Sequence, residues 1–201
     1  MSGEDRRHQL LEIAIDLFSK KGFAGTTTRE IAAAAGVTEA IIFRHFATKQ
    51  DLYAAILDYE NSTHGLDKWF AEAEVFMEAQ DDEGLFRLIV TKILEMHRSE
   101  PRFERLMVYA ALEGHEIAVM HHNQMTREVG LRIKEYIAQR QKDGVLYPTD
   151  PSTILCSVAG VAQFYAMQKY MYHLGEDKFS DEQMIDDFVR ILMCGVRSNQ
   201  C

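Results

Sequence analysis

Apolar residues recur at the three- to four-residue spacing of an α-helix along almost the whole chain, and we find no convincing strand. In segment 5–21, for example, Leu10, Ala14, Leu17 and Phe18 fall on one helical face. Only 3 prolines occur among 201 residues, so few helices are interrupted. The pattern predicts an all-α protein of about nine helices.

The sequence excludes several classes of protein. No apolar run approaches the roughly 18 residues that a bilayer span needs, and the first ten residues lack the apolar stretch of a secretory signal. The 3 cysteines, an odd count, suit a reducing compartment. Gly-x-Gly, Cys-x-x-Cys and His-Glu-x-x-His are absent. We therefore expect a cytoplasmic protein that has no membrane segment, no catalytic residues and neither metal nor cofactor.

Charge is unevenly distributed along the chain. The net charge is −9, which by itself argues against a nucleic-acid partner. Residues 1–50 nevertheless carry 7 Lys and Arg against 6 Asp and Glu, whereas residues 51–201 carry 15 against 25. A near-neutral first segment can bind DNA if its cations share one face, although an ordinary solvated acidic surface explains the same numbers.

Helix start and stop signals follow segment 5–21. Thr27 and Glu30 have the spacing of a capping box, which predicts a helix beginning at Thr28 and ending at Gly36. This helix has only about two turns, so it must pack on a longer neighbour to be stable.

A second short helix is predicted at 39–45, with Thr38 as its cap, and a longer one at 49–77. Two short helices joined by a glycine turn have the form of a helix-turn-helix. The remaining segments predict a larger helical body. Its helices are expected near 82–98, 102–112, 115–142, 151–174 and 181–198.

The stretch TTTREIAAAAGVTEAIIFRHFATKQDLY, residues 26–53, closely resembles the DNA-binding signature of the TetR family of transcriptional regulators. The resemblance covers about residues 8–58. It implies a helix-turn-helix DNA-binding domain at 1–48 and an effector-binding and dimerisation domain at 49–201. The residues that match in order and spacing are Phe23, Thr27, Thr28, Ile31, Ala32, Ala35, Gly36, Val37, Phe43, His45, Phe46, Lys49 and Leu52.

The resemblance also implies which residues contact double-stranded DNA. Free N–H groups at a helix start can hold a phosphate, and a guanidinium can bind guanine through two hydrogen bonds. Phe43 stands where the family commonly has tyrosine, so the hydroxyl that would bond a phosphate is lost. The predicted contact residues are Thr27, Thr28, Arg29, Thr38, Glu39, Ala40, Ile41, Phe43, Arg44, His45 and Lys49.

The last two helices predict a homodimer. Helix 151–174 is apolar nearly all round, and helix 181–198 has a wide apolar stripe, so a partner subunit is expected to cover them in a four-helix interface. The alternative is a core within one chain. A two-fold dimer places two recognition helices in successive major grooves, about 34–36 Å apart, and binds a pseudo-palindromic operator.

The middle helices resemble the family's effector-binding body. Large, adaptable apolar side chains and a few polar ones suit a pocket for a small molecule, although ordinary core packing explains most of them equally well. The candidates are Trp69, Phe86, His97, Met107, Tyr109, His121, Met125, Gln163, Phe164 and Met167.

These observations predict a repressor that a small, largely apolar ligand releases from its operator. Three alternatives stay open. A metal could bind near Glu113–Glu116 and the His121–His122 pair, although adjacent histidines diverge by about 100° on a helix. Redox sensing could use Cys156, Cys194 or Cys201, and a helical enzyme would have to draw on unordered histidines and carboxylates.

Overall fold

The computed structural model describes residues 2–64, 66–125, 129–174 and 180–197; at 61–64, 66, 67, 124 and 125 it describes the backbone alone. Within these ranges the chain forms α-helices, and the only strand-like pairing is an isolated antiparallel bridge between Leu146 and Arg197. The predicted all-α class is confirmed. None of the described helices combines the length and the apolar character needed to cross a bilayer.

Eleven α-helices follow one another along the described parts of the chain. They are α1 Gly3–Lys21, α2 Thr28–Ala35, α3 Glu39–His45, α4 Lys49–His64, α5 Leu66–Glu78, α6 Asp82–Ser99, α7 Pro101–Leu112, α8 Glu116–Met125, α9 Leu131–Lys142, α10 Pro151–Ala166 and α11 Asp181–Val196.

The helices belong to two compact units. The first, here called the head unit, consists of Met1–Leu66 and Arg102–Asn123, and the second, the body unit, of Asp67–Pro101 and Gln124–Cys201. The head unit thus contains α1–α4, α7 and most of α8. Whether residues 1–48 act as a separate DNA-binding domain stays a prediction.

The core of the head unit forms where α2 and α3 pack on α1 and α4. Helix α1 buries the predicted apolar face, including Leu10, Ala14 and Phe18, and Phe23 stacks on Phe18 at 6.0 Å between ring centroids. The short helices contribute the buried residues Ile31, Ala32, Ala35 and Ile42, with Phe46 following α3.

The three predicted cap residues of the helix-turn-helix all occupy cap positions, but only two make the predicted capping interaction. The capping box of Thr27 and Glu30 is present, and Gly36 ends α2 in the left-handed conformation at φ 65°. Thr38 occupies the predicted N-cap position of α3, but its exposed side chain makes no capping hydrogen bond. Instead, the backbone carbonyl of Thr38 accepts the N–H of Ile41 at 3.0 Å.

Two of the predicted long helices are each described in two parts. The helix predicted at 49–77 is described as α4 and α5, with residue 65 outside the described residues. The helix predicted at 115–142 is described as α8 and α9, with 126–128 outside. Gly130, which directly precedes α9, has the helical dihedral angles φ −63° and ψ −33°.

The α-helix predicted at 151–174 ends before its predicted bound. Helix α10 ends at Ala166, and a π-helical turn, Met167–Met171, follows it directly. At the end of this turn the N–H of Tyr172 donates to the carbonyl of Met167, five residues earlier, at 2.9 Å. In this wider turn Lys169 and Tyr170 both donate hydrogen bonds to Asp181, so the turn is tied to the first residue of α11.

A buried ion pair fastens α9 to α6 in the body unit. The guanidinium of Arg140 donates to both carboxylate oxygens of Asp82, at 2.9 and 3.1 Å, and the hydroxyl of Tyr136 donates to the same carboxylate at 2.6 Å. Both charged side chains are nearly inaccessible to solvent, at 11% and 7%. A buried carboxylate that loses its cation is strongly destabilising.

We therefore expect Arg140→Met to lower the free energy of unfolding by about 3–5 kcal/mol, because Asp82 is left buried and unpaired. Urea denaturation followed by circular dichroism measures the change. The matched control is Arg132→Met on the same helix. Arg132 is 61% exposed and lies 3.6 Å from Glu74, so its loss should cost less than about 1 kcal/mol. Equal losses in the two variants would contradict the assignment.

Candidate nucleic-acid interface

The predicted DNA-contact residues lie on α2, on α3 and at the start of α4. Arg29, Thr38, Ala40 and Arg44 are exposed, and Phe43 is 45% exposed. Of the remaining predicted residues, Thr27 is exposed. The others are half-buried, and they are Thr28, Glu39, Ile41, His45 and Lys49. None of the predicted residues is withdrawn into the core.

Two arginines give the helix-turn-helix its free positive charge. Arg29 projects from the first turn of α2, and Arg44 from the last turn of α3. Among the residues that the structure describes, neither forms an ion pair. By contrast, Lys20 is paired with Asp16 at 2.8 Å and Lys21 with Glu30 at 2.6 Å. The two arginines are therefore the cations most available to phosphates or base edges.

The carboxylate of Glu30 helps to cap the start of α2. It accepts hydrogen bonds from the Thr27 N–H and hydroxyl, each at 2.9 Å, and from the ammonium of Lys21. Hydrogen bonding by Lys21, then by Thr27, lowers the pKa of Glu30 from its ordinary value near 4.5 to about 2. The Thr27 hydroxyl proton is thus engaged, which leaves the first-turn N–H groups at Thr28 and Arg29 for an anion.

Lys49 points inward from the start of α4. Its ammonium donates a hydrogen bond to the backbone carbonyl of Phe23 and lies 3.9 Å from the centroid of the Phe23 ring. Burial lowers the pKa of Lys49, opposed by the nearby carboxylates of Glu113 and Glu30. The predicted phosphate contact of Lys49 stays a prediction, but in this arrangement its charge already has partners.

The outer faces of α10 and α11 expose large apolar side chains. Phe164 is 63% and Ile191 69% exposed, and Cys156 and Cys194 are exposed free thiols. A groove runs along this part of the body unit. Its lining includes Cys156, Gly160, Val161, Phe164, Tyr165 and Phe188. Of the three cysteines named for redox sensing, these two are therefore accessible in the single chain, and Cys201 lies outside the described residues.

The predicted effector residues divide between the two units. In the body unit, His97 is buried and the amide nitrogen of Gln163 lies 3.2 Å from its Nε2, while its Nδ1 lies 3.0 Å from the carbonyl of Ile93. Phe86 is buried in the same unit, Trp69 packs against that core, and Met167 begins the π-helical turn. Phe164 lines the outer groove instead.

The other predicted effector residues belong to the head unit or to undescribed side chains. Met107 is part of the head core, and Tyr109 donates to the carbonyl of Lys20 at 3.4 Å. His121 packs edge-on to Phe103 at 5.3 Å, and burial, then the charge of His122, lowers its pKa. The side chain of Met125 lies outside the described residues.

The residues of the alternative metal site have other partners. Glu113 accepts backbone N–H groups, Glu116 accepts the amide of Gln50 at 2.9 Å, and His115 packs on the ring of Phe23 at 4.5 Å. Within the part of the chain that the structure describes, no three His, Cys, Asp or Glu side chains converge as a metal ion would require.

The contact that sequence reasoning missed joins the loop after α1 to the corner between α7 and α8. Glu113 accepts the N–H of Phe23 at 3.0 Å and that of Ala24 at 3.3 Å. The partners are 90 and 89 residues apart, so helical periodicity and capping motifs carry no signal of it.

Known family models match both the first part and the second part of the chain. The family model "Bacterial regulatory proteins, tetR family" matches residues 10–56, and the model "Tetracyclin repressor-like, C-terminal domain" matches residues 89–190. The second match alone covers about half of the chain.

Individual relatives match over nearly their whole length. The HTH-type transcriptional regulator RutR of Escherichia coli strain K12 is 27% identical over 200 residues, covering 96% of this chain and 91% of the relative. The HTH-type transcriptional regulator AcrR of Shigella flexneri is 29% identical over 202 residues, covering 94% and 88%.

Solved structures share the fold at lower identity. HlyIIR, a hemolysin II transcriptional regulator, superposes with a TM-score of 0.68 at 18% identity, covering 96% of this chain and 99% of the other. The ketosteroid transcriptional regulator KstR2 of Mycobacterium tuberculosis has a TM-score of 0.63 at 21% identity, covering 96% and 95%.

The pKa of Glu30 gives the head a pH-dependent cap. A carboxyl with a lowered pKa stabilises the folded state above its ordinary pKa, and that contribution disappears as the pH falls from about 4.5 to about 2. We expect Glu30→Gln to lower the melting temperature at pH 7 and the difference from wild type to vanish near pH 2. Calorimetry across this range measures it.

The matched control is Glu39→Gln, because the Glu39 carboxylate makes no hydrogen bond within the described residues. It should not change the melting temperature appreciably at either pH. A Glu30→Gln difference that stays constant from pH 7 to pH 2 would contradict the capping role.

Proposed function

The chain belongs to the TetR family of bacterial regulatory proteins, and from this premise we propose that it is a sequence-specific DNA-binding transcriptional regulator. It represses by occupying an operator and is released by a small, largely apolar ligand. The observation that carries the proposal is a pair of exposed arginines, Arg29 and Arg44, on the two short helices of the helix-turn-helix, which form no ion pair among the described residues.

The proposed interface uses α3 as the recognition helix in the major groove. Its exposed residues include Ala40, Phe43 and Arg44, and the half-buried Ile41 offers an apolar contact to a thymine methyl. Arg44 and His45 contact the sugar-phosphate backbone. The free N–H groups at the start of α2 hold a second phosphate, beside which Arg29 reads or neutralises the duplex.

The proposed protomer partner is a second copy of this chain. An apolar side chain as exposed as Phe164 or Ile191 is unfavourable in water, and both lie on the last two helices. Packing α10 and α11 against the same helices of a partner buries them in an isologous interface. The two heads then contact a pseudo-palindromic operator, and neither head alone makes enough contacts for tight binding.

The proposed effector site lies in the body unit around His97 and Gln163. These two side chains form a polar pair between α6 and α10 within a largely apolar unit that also contains Phe86. An apolar ligand with one polar end fits such surroundings, because the pair supplies an orienting hydrogen bond. A ligand that prefers a second arrangement of the body lowers operator affinity by the difference in its affinity for the two arrangements.

DNA binding is tested with a duplex operator selected from random-sequence DNA by repeated binding to the wild-type protein. We expect Arg44→Ala to weaken binding and to reduce the slope of log affinity against log salt by about 0.9, the value for one lost phosphate contact. Arg132→Ala on α9 serves as the control and should change neither quantity. An unchanged slope and affinity for Arg44→Ala would refute the contact.

The dimer is tested by placing a charge on the outer face of α10. We expect Phe164→Glu to shift the protein to monomers in sedimentation velocity, because the carboxylate would be buried between the subunits. Leu112→Glu is the matched control, since Leu112 is 80% exposed on the head unit and lies outside the proposed interface. A dimer that survives Phe164→Glu would count against α10 as the contact surface.

A further inference from the structure

Two side chains of opposite charge hold the peptide groups at Phe23, one at the start of α4 and the other just after α7. The ammonium of Lys49, at the start of α4, donates to the carbonyl oxygen of Phe23. The carboxylate of Glu113, just after α7, accepts the N–H of Phe23 on Oε2 at 3.0 Å and the N–H of Ala24 on Oε1 at 3.3 Å. The connection between α1 and α2 is therefore fixed on both sides.

The surroundings of Phe23 are shaped for this arrangement. Gly22 has φ 71°, and a Cβ built on it would lie 2.3 Å from Oε1 of Glu113, so only glycine lets the carboxylate approach this closely. The ring of Phe23 packs against Tyr53 at 5.0 Å and His115 at 4.5 Å. Backbone and side chain of Phe23 thus both have fixed positions.

On the basis of the proposed function, we propose that Lys49 is a positioning residue for operator binding and not a phosphate contact. Together with Glu113 it forms a clamp, here called the Phe23 clamp, that fixes the α1–α2 connection. Helix α2 begins at Thr28, only five residues after Phe23. The clamp thereby sets the position of the first-turn N–H groups and of Arg29.

The charges of the clamp lead to a prediction opposite to simple electrostatics. Removing the negative charge of Glu113 should strengthen DNA binding if only the overall field mattered, because the phosphates repel a carboxylate. The clamp requires the reverse. In Glu113→Gln an NH2 group replaces one of the two carboxylate oxygens, so in the present geometry one of the two N–H groups faces a donor instead of an acceptor.

Salt titrations of binding to the selected duplex distinguish positioning from phosphate contact. We expect Lys49→Met and Glu113→Gln each to weaken binding by about tenfold, as expected for losing one hydrogen bond to a charged group. The salt slope should equal that of the wild type. Lys49→Arg, which keeps a donor, should recover most of the affinity. Lys20→Met, an exposed and ion-paired lysine on α1, is the control and should bind like the wild type.

Two results would overturn the inference. A salt slope reduced by about 0.9 in Lys49→Met would identify a phosphate contact. Binding by Glu113→Gln that is as tight as that of the wild type, or tighter, would show that the carboxylate positions nothing. A wild-type protein that binds no duplex would contradict the proposed function and the role in operator binding with it.

Amide hydrogen exchange tests the clamp without DNA. We expect the amides of Phe23 and Ala24 to be protected in the wild-type protein. In Glu113→Gln at least one of them should exchange about tenfold faster or more, since one N–H loses its acceptor. The amide of Phe46, which donates to the carbonyl of Ile42 at 2.9 Å outside the α1–α2 connection, reports general loosening of the head unit. Equal protection in both proteins, or faster exchange of all three amides, would contradict the clamp.

Discussion

Helices of eight and seven residues do not persist alone in water, and the proposed DNA-binding surface of this protein consists of two such helices. Their stability comes from burying Ile31, Ala32, Ile42 and Phe46 against α1 and α4. The capping box at Thr27 and the left-handed Gly36 then fix where α2 begins and ends. The positions of the exposed arginines follow from this packing, because both side chains lie outside the buried core of the head unit.

Local signals in the sequence predicted this head well. Periodicity placed α1–α3 within a residue or two of their observed bounds, and Thr27 and Gly36 cap α2 as predicted. The errors occur where local pattern does not decide the outcome. Thr38 has the residue type of a cap without forming the hydrogen bond. The π-helical turn places Lys169 in ionic contact with Asp181, and a 3.6-residue period does not reveal this contact.

The candidate site was less predictable than the fold. Side-chain type and a family resemblance point to Lys49 as a phosphate ligand, yet its ammonium is occupied by a backbone carbonyl. The missing information is the carboxylate of Glu113, which lies 90 residues along the chain from Phe23. In the body unit the sequence identified His97 and Gln163 separately, and their contact arises only when α6 packs on α10.

Because of the exposed apolar face of α10 and α11, the stability of the proposed dimer would depend on the protein concentration. In the proposed dimer, association would bury Phe164 and Ile191 only in the folded form, so mass action would add to the stability of each chain as its concentration rises. Dilution would then act like a mild denaturant. At low abundance, the proposed dimers would accumulate with the square of the total chain concentration, and operator occupancy would rise more steeply than the expression level does.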